Sequence, residues 1–467
     1  MNKVVSGIRE AIEKSGLKDG MTVGFHHHLR SGDYVLNMVL DEIAAMGIKN
    51  ITVNASSIHD GHAPIIGHMK SGVVTGLMTN YMGPVVGRAV SEGVLQNPMI
   101  FHTHGSRATN LENGTDHIDV AFLAAPTADT MGNCTGKIGK SACGSLGYAF
   151  ADARCADKVV VITDNLVPYP LNTVSIPETC VDYVVQVESI GDPKGIVSGT
   201  TKMPKDPVAL KIAEIAAKAI DASGLLTDGV SFQTGAGGAS LATAAFLKTI
   251  MQEKKIQGSF ALGGITGYIV EMLEAGLFRS IRDVQCFDLK AVESLCSDPR
   301  HVEITATEYA GPGTKSCAAS SLDVVVLGAT EIDTDFNVNV HTDSMGYIIG
   351  GSGGHTDVAA EAKLTVIVAP LSRARLPIVV DKVRTVSTPG SSVDLLVTQF
   401  GIAVNPARED LREKLQKAHL PVKDIHELRA LAVRLNGVPC HQQEKHDRVV
   451  AKVLNRDNSV LDIIYGV

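Results

Sequence analysis

Three sequence blocks recur in the same order, each returning roughly 200 residues later. SGLKDGMTV, starting at Ser15, comes back as SGLLTDGVSF from Ser223. The pattern D-V-x-x-L-x-A-x-x-x-D-T-x-x-N covers residues 119–133 and again 323–337. S-x-P-x-x-x-V-D-x-x-V covers 175–185 and 387–397. A chain that repeats itself at this scale has to fold as two similar units. Within each unit, short β-branched runs such as KNITVNA, KVVVIT, LDVVVLG and LTVIVA alternate with helical stretches. Runs that are apolar on both faces are strands of parallel sheets covered by helices. The expectation is two homologous α/β domains with mainly parallel sheets, 1–205 and 206–467, joined in the polar segment 200–206. The second includes a tail of two short helices and a hairpin, DRVVAKVL-NRDNS-VLDIIYG, for which packing is the expected role.

Bulk properties exclude several classes. A net charge of −8 argues against nucleic acid as a partner. No apolar run approaches the length of a membrane span, and the N-terminus reads as a charged amphipathic helix rather than a leader. The 8 cysteines are scattered without a C-x-x-C pair, so neither a disulfide framework nor a zinc ribbon is indicated, and a reducing cytoplasm is expected.

Glycine marks the chemistry. The cluster Gly350, Gly351, Ser352, Gly353, Gly354 leads into His355, Thr356 and Asp357. Dense glycine lets amides approach a ligand, and the Thr-Asp pair reads as a helix N-cap, a combination suited to an anion or an oxyanion; a plain strand-to-helix turn is the alternative. VSFQTGAGGAS (Gly235, Gly237, Gly238) and FALGGITG (Gly263, Gly264, Gly267) are further glycine turns in the second unit. None fits a nucleotide P-loop.

Three loops after strands carry cationic residues: His26, His27, His28 and Arg30; His102, His104 and Arg107; Arg373 and Arg375. Arginine there suits carboxylate recognition or a structural ion pair. The triple histidine is open to a lip for an acidic substrate, to surface decoration or to a metal, although adjacent side chains on an extended segment diverge and no carboxylate or cysteine completes a set. No metal site is assigned. There is no G-x-S-x-G elbow, and no cysteine stands out as a nucleophile.

SGLKDGMTVGFHH, CGSLGYA, SFQTGAGGASLA, FALGGITG, LDVVVLGATEIDTDFNVNV, SGGHTD and TPGSSVDLLVTQFGIAVNPAR resemble, end to end, the citrate lyase α-subunit family of the CoA-transferase (NagB/RpiA-type) fold. The resemblance implies a transferase that converts acetyl-S-carrier plus citrate into citryl-S-carrier plus acetate. It implies no tightly bound cofactor, and a thiol donor that is either a carrier's CoA-derived prosthetic group or acetyl-CoA. The implied partners are a β lyase subunit and a γ acyl-carrier subunit, in a homo-oligomer or hetero-oligomeric complex. CoA-transferases that pass through a glutamyl thioester carry a glutamate in a second-domain turn. The equivalent GGITG turn here has none, and Glu271 follows a helical turn later. A mixed anhydride formed directly between the substrates is therefore expected, the rival being a glutamyl-thioester CoA-transferase for another small acid. A non-catalytic sensor of phosphorylated ligands is a third possibility, one that needs fewer glycine turns. By loop position, Gly263, Gly264, Thr266, Gly353, Gly354 and His355 are assigned to catalysis, with Thr356 as a further donor. His27, Arg30, Arg107 and Arg375 are assigned to substrate binding, and Gly235, Gly237, Gly238 and Asp357 to the carrier or CoA.

Overall fold

The computed structural model describes residues 3–197, 204–235, 237–438 and 447–467. Most of the expected join, 200–203, lies outside them. Two large sheets organise the chain. Taken from its edge, the first runs through strands Val4–Val5, Tyr183–Gln186, Lys158–Thr163, Val120–Ala124, Thr22–Phe25, Ile51–Ala55, Val74–Thr79 and Met99–Phe101. Inside two outer strands, Val422–Lys423 and the antiparallel Gly401–Val404, the second runs Leu395–Thr398, Leu364–Val368, Val324–Gly328, Phe232–Thr234, Gly258–Ile265, Phe278–Cys286 and His301–Glu303, read in the same direction. Apart from the first sheet's edge strand, the two series correspond strand for strand, and every pairing within them is parallel. The α/β architecture expected from the alternating pattern is present.

The repeated aspartates have a structural purpose. Asp119 accepts the Thr22 amide at 2.7 Å and its counterpart Asp323 accepts that of Ser231 at 2.8 Å. Asp182 and Asp394 hold the amides of Val159 and Thr365, and Asp19 and Asp228 those of Lys49 and Gln257. Each carboxylate satisfies a donor near the start of a neighbouring strand and so fixes its register. Asp129 and Asp333 each gather successive amides of the following turn. Asp333 is thus structural, like its repeat partner Asp129.

The tail departs from expectation. Its hairpin, Val449–Leu454 with Val460–Tyr465, was placed with residues 206–467, yet Val449–Leu454 pairs in parallel with Met99–Phe101 and completes the first sheet. Met99–Phe101 would otherwise be an open edge, and covering it removes a row of unpaired backbone groups. Both sheets are buried on both faces: Val160 and Val161 in the first and Val324 and Val325 in the second, which point to opposite sides of their strands, are inaccessible to solvent.

Candidate active site

The carboxyl ends of both parallel sheets face one cavity of about 570 Å³, the usual place for a ligand in open α/β sheets. The first half contributes His27 and Arg30, after strand Thr22–Phe25, then Ser57 and His59, Tyr81, His104 and Tyr148. The second contributes the Gln233–Gly238 turn, Gly264, Gln285 and Phe287, Tyr309, the strand end at Leu327–Thr330, the glycine loop and Arg373. The halves are stitched together at the floor, where the Gln285 side-chain amide donates to the His27 carbonyl at 3.1 Å.

The glycine loop is pressed onto the opposite half. The Gly353 amide donates to the Asn80 carbonyl at 3.0 Å, and the Gly353 carbonyl accepts the His104 amide at 2.9 Å. A Cβ at Gly351 would sit 2.3 Å from the Asn80 carbonyl oxygen, and one at Gly354 would sit 2.5 Å from the Tyr309 hydroxyl. Close backbone approach explains the glycines. It also consumes the Gly353 amide, so of the pair assigned to catalysis only Gly354 keeps an amide without a partner among the described residues. The helix that follows is His355–Glu361 with Gly354 as its N-cap, so Thr356 and Asp357 lie within the first turn and are not the cap.

His355 lines the cavity, but both its ring nitrogens are engaged, with the Thr388 hydroxyl at 2.8 Å and the Gly328 carbonyl at 3.0 Å. Thr356 donates to the Ser387 carbonyl. Both brace the loop instead of offering donors. Gly264 lines the cavity at a bulge in its strand, whereas Gly263 points at the Gln233 side chain and Thr266 caps the next helix, away from the lining.

The four residues assigned to substrate binding separate. His27 and Arg30 line the cavity. Arg107 is buried outside it, paired with Asp152 at 2.9 Å and bonded to Asn54. Arg375 sits at the tip of the hairpin Ser372–Arg373/Leu376–Pro377, and its neighbour Arg373 reaches the lining. Of the carrier assignments, Gly235, Gly237 and Gly238 line the cavity. Asp357 does not: fully buried, it accepts from the Thr103 hydroxyl, the Gly105 amide and Arg456. The hairpin that completes the first sheet thereby holds the helix below the glycine loop.

The histidines form a stacked nest rather than a cationic lip. His27 lies 4.9 Å from the Tyr148 ring and 5.8 Å from that of His104, and His104 lies 4.3 Å from Tyr148. Burial favours the neutral imidazole, holding His26 down to about 4 and His104 to about 3, with His27, His28 and His59 well below the usual value. Burial also keeps the Tyr148, Tyr81 and Tyr309 hydroxyls protonated. Positive charge in the cavity therefore comes from Arg30 and Arg373. Arg30 stacks over Phe287 at 4.8 Å and meets no carboxylate. Among the described residues the lining contains no Asp, Glu, Lys or Cys. Glu271 lies outside it, 42% exposed and between Lys248 and Lys290.

Sequence reading passed over His59, Tyr81, Tyr148, Gln233 and Tyr309. The signal was available for His59 and Tyr81, which follow strands Ile51–Ala55 and Val74–Thr79 as His27 follows its own.

The comparisons now decide the family. The citrate lyase alpha subunit (CitF) model matches residues 1–467. The chain belongs to the citrate lyase α-subunit family. It is 49% identical over 465 residues to the citrate lyase alpha chain of Haemophilus influenzae, covering 100% of this chain and 93% of that one. It is 48% identical to the Klebsiella pneumoniae alpha chain, over 99% of this chain and 91% of that one. A crystal structure described as a citrate lyase alpha subunit from Streptococcus mutans, in complex with citrate, superposes with a TM-score of 0.98 at 51% identity, covering 100% and 92% of the two chains. A Pseudomonas malonate decarboxylase hetero-tetramer chain shares the fold, with a TM-score of 0.71 at 16% identity over 96% of each chain. As a family member the chain is a citrate CoA-transferase, moving an acyl-carrier thiol onto citrate. The family uses a CoA-type thiol donor and works within a multi-subunit complex. Among the described residues no helix is long and apolar enough to cross a membrane.

Proposed function

We propose that citrate and the acetyl thioester meet in this cavity and exchange the thiol directly, through a mixed anhydride. A citrate carboxylate oxygen attacks the acetyl carbonyl and the C–S bond breaks, releasing the thiolate. The thiolate then attacks the citryl carbonyl of the anhydride, the C–O bond breaks and acetate leaves. No proton is gained or lost across the two steps. The observation that carries this reading is the lining itself, which among the described residues offers neither a carboxylate to form an enzyme thioester nor a lysine or cysteine to be acylated.

What remains for the protein is placement and charge stabilisation. Arg30, half-buried and without a carboxylate partner among the described residues, takes a second citrate carboxylate. The helix Gly238–Lys254 begins at the cavity. Its first internal bond runs from Leu241 to Gly237, which leaves the amides of Gly238, Ala239 and Ser240 outside the helix ladder. These amides and the Tyr148 hydroxyl, which has no partner among the described residues, stabilise the tetrahedral oxyanions. Gly354 adds a free amide from the facing loop. The donor is a γ acyl-carrier subunit's prosthetic thioester or acetyl-CoA, and a β lyase subunit consumes the citryl thioester in the cytoplasm.

Incubating purified protein with acetyl-CoA and labelled citrate tests this reading. Citryl-CoA and acetate are expected in equal amounts, and Glu271→Gln retains the activity. Loss of turnover in Glu271→Gln, together with a borohydride-trapped adduct on that residue, would overturn it.

A further inference from the structure

We propose that the hairpin Ser372–Arg373/Leu376–Pro377 at the cavity mouth is a phosphate grip, in which Arg373 and Arg375 bind the diphosphate of the CoA-type thioester donor. This rests on the reading of the cavity as the place where thioester and citrate react.

The two strands leave a two-residue turn, Ala374–Arg375. Both turn residues sit at positive φ, 49° and 64°, a conformation that tight hairpin turns normally fill with glycine or asparagine. Holding side chains there is strained, and such strain marks sites where the side chain is needed. The base of the hairpin is anchored. The Ser372 hydroxyl donates to the Asn436 side chain at 2.5 Å, and the Leu371 amide to the Gln399 side chain at 3.0 Å. The turn is thus a fixed projection with two guanidinium groups at its end.

Neither guanidinium has a partner among the described residues. Asp381 is taken by Arg429 on the adjoining helix Ile425–Asn436. On a chain of net charge −8, two exposed and uncompensated arginines beside a cavity without a carboxylate among the described residues make a local positive field. Position separates the two cations of the lining. Arg30 is largely buried under Phe287, at a depth suited to a small acid. Arg373 is exposed at the rim, where the phosphates of a long donor trail once its thioester has entered. Planar guanidinium forks match phosphate oxygens in pairs.

The test compares the Arg373→Gln/Arg375→Gln double variant with the wild type, using acetyl-CoA, acetyl-pantetheine (which lacks phosphate) and the acetylated carrier subunit. The KM for acetyl-CoA or for the carrier should rise at least about tenfold, while those for acetyl-pantetheine and citrate stay within about twofold. A rise confined to one phosphate-bearing donor identifies the source that uses the grip, and supports it equally. An equal rise with acetyl-pantetheine, a shift in the citrate KM, or no change with any donor would overturn the proposal. Calorimetric binding of CoA and of pantetheine needs no turnover. If the wild type fails to make citryl thioester, the functional reading falls, while the presence or absence of CoA-over-pantetheine preference and its loss in the variant still decides the grip.

Discussion

Arg30 sits at φ 50°, a conformation that few residues other than glycine adopt without strain, and the one hydrogen bond its side chain makes within the described residues is to the Ile196 carbonyl at 3.3 Å. With so little holding it in the fold, Arg30→Gln is expected to leave the melting temperature nearly unchanged and to raise the citrate KM about tenfold or more. Steady-state kinetics with citrate varied checks this, and an unchanged citrate KM would remove Arg30 from the site. Arg107 shows why the two could not be told apart in sequence. Both follow a strand, and the difference is Asp152, brought across by a separate helix. The histidines make a second claim at this scale. Burial holds His26 and His355 down to about 4 and His104 and His341 to about 3. Their folded values lie below the unfolded value near 6.5, so the unfolded chain takes up protons first as pH falls, and stability drains from about pH 6.5 downward. Asp152 and Asp357, raised to about 6, act in the opposite sense, but the buried histidines outnumber them. Thermal melts should fall steadily between pH 7 and pH 4.5; a flat profile would contradict the neutral nest.

At the level of elements, the glycine loop and the terminal hairpin act together. Asp357 ties the helix after the loop to Thr103 and Gly105 of the first half, and Arg456 of the hairpin completes the cluster through Asp357 and Glu361. Arg456→Ala should cost about 3–5 kcal/mol, since it leaves a buried carboxylate short of its countercharge. Asp357 has a folded value already above its unfolded one, and losing Arg456 raises it further. The deficit should therefore be larger at pH 8 than at pH 6, as denaturant titrations at the two values would reveal; an equal deficit would mean the pair carries no linkage. Gly351→Ala places a Cβ 2.3 Å from the Asn80 carbonyl oxygen. It should lower kcat at least about tenfold while the chain still folds, because the loop must lift from its seat; near wild-type kcat would mean that the loop's seat is irrelevant to turnover. The strands were legible because runs such as KVVVIT have no other stable fate than a sheet covered on both faces. The hairpin's destination was not. Its alternating pattern fits any open edge, and only the folded first sheet reveals which edge is vacant. The bonding of His355 was hidden for a similar reason, since Thr388 and Gly328 reach it from other elements.

For the molecule as a whole, duplication supplies two mainly parallel sheets whose carboxyl ends oppose each other, and the cleft between them is lined by main-chain donors, neutral histidines, tyrosines and two arginines but, among the described residues, by no carboxylate, lysine or cysteine. The duplication was legible because the clipping aspartates recur, each needed to hold a strand. Which residues join the two halves was not, because those contacts, such as Gln285 to His27, bring together side chains and backbone from opposite halves. The central claim, that substrates react with each other and never with the protein, is tested most directly by a single turnover. Enzyme in excess over acetyl thioester is mixed with citrate carrying ¹⁸O in its carboxylates, and the released acetate is weighed by mass spectrometry. Direct anhydride formation places one citrate oxygen in every acetate of that first turnover. Unlabelled acetate, its new oxygen drawn from the protein, would contradict it.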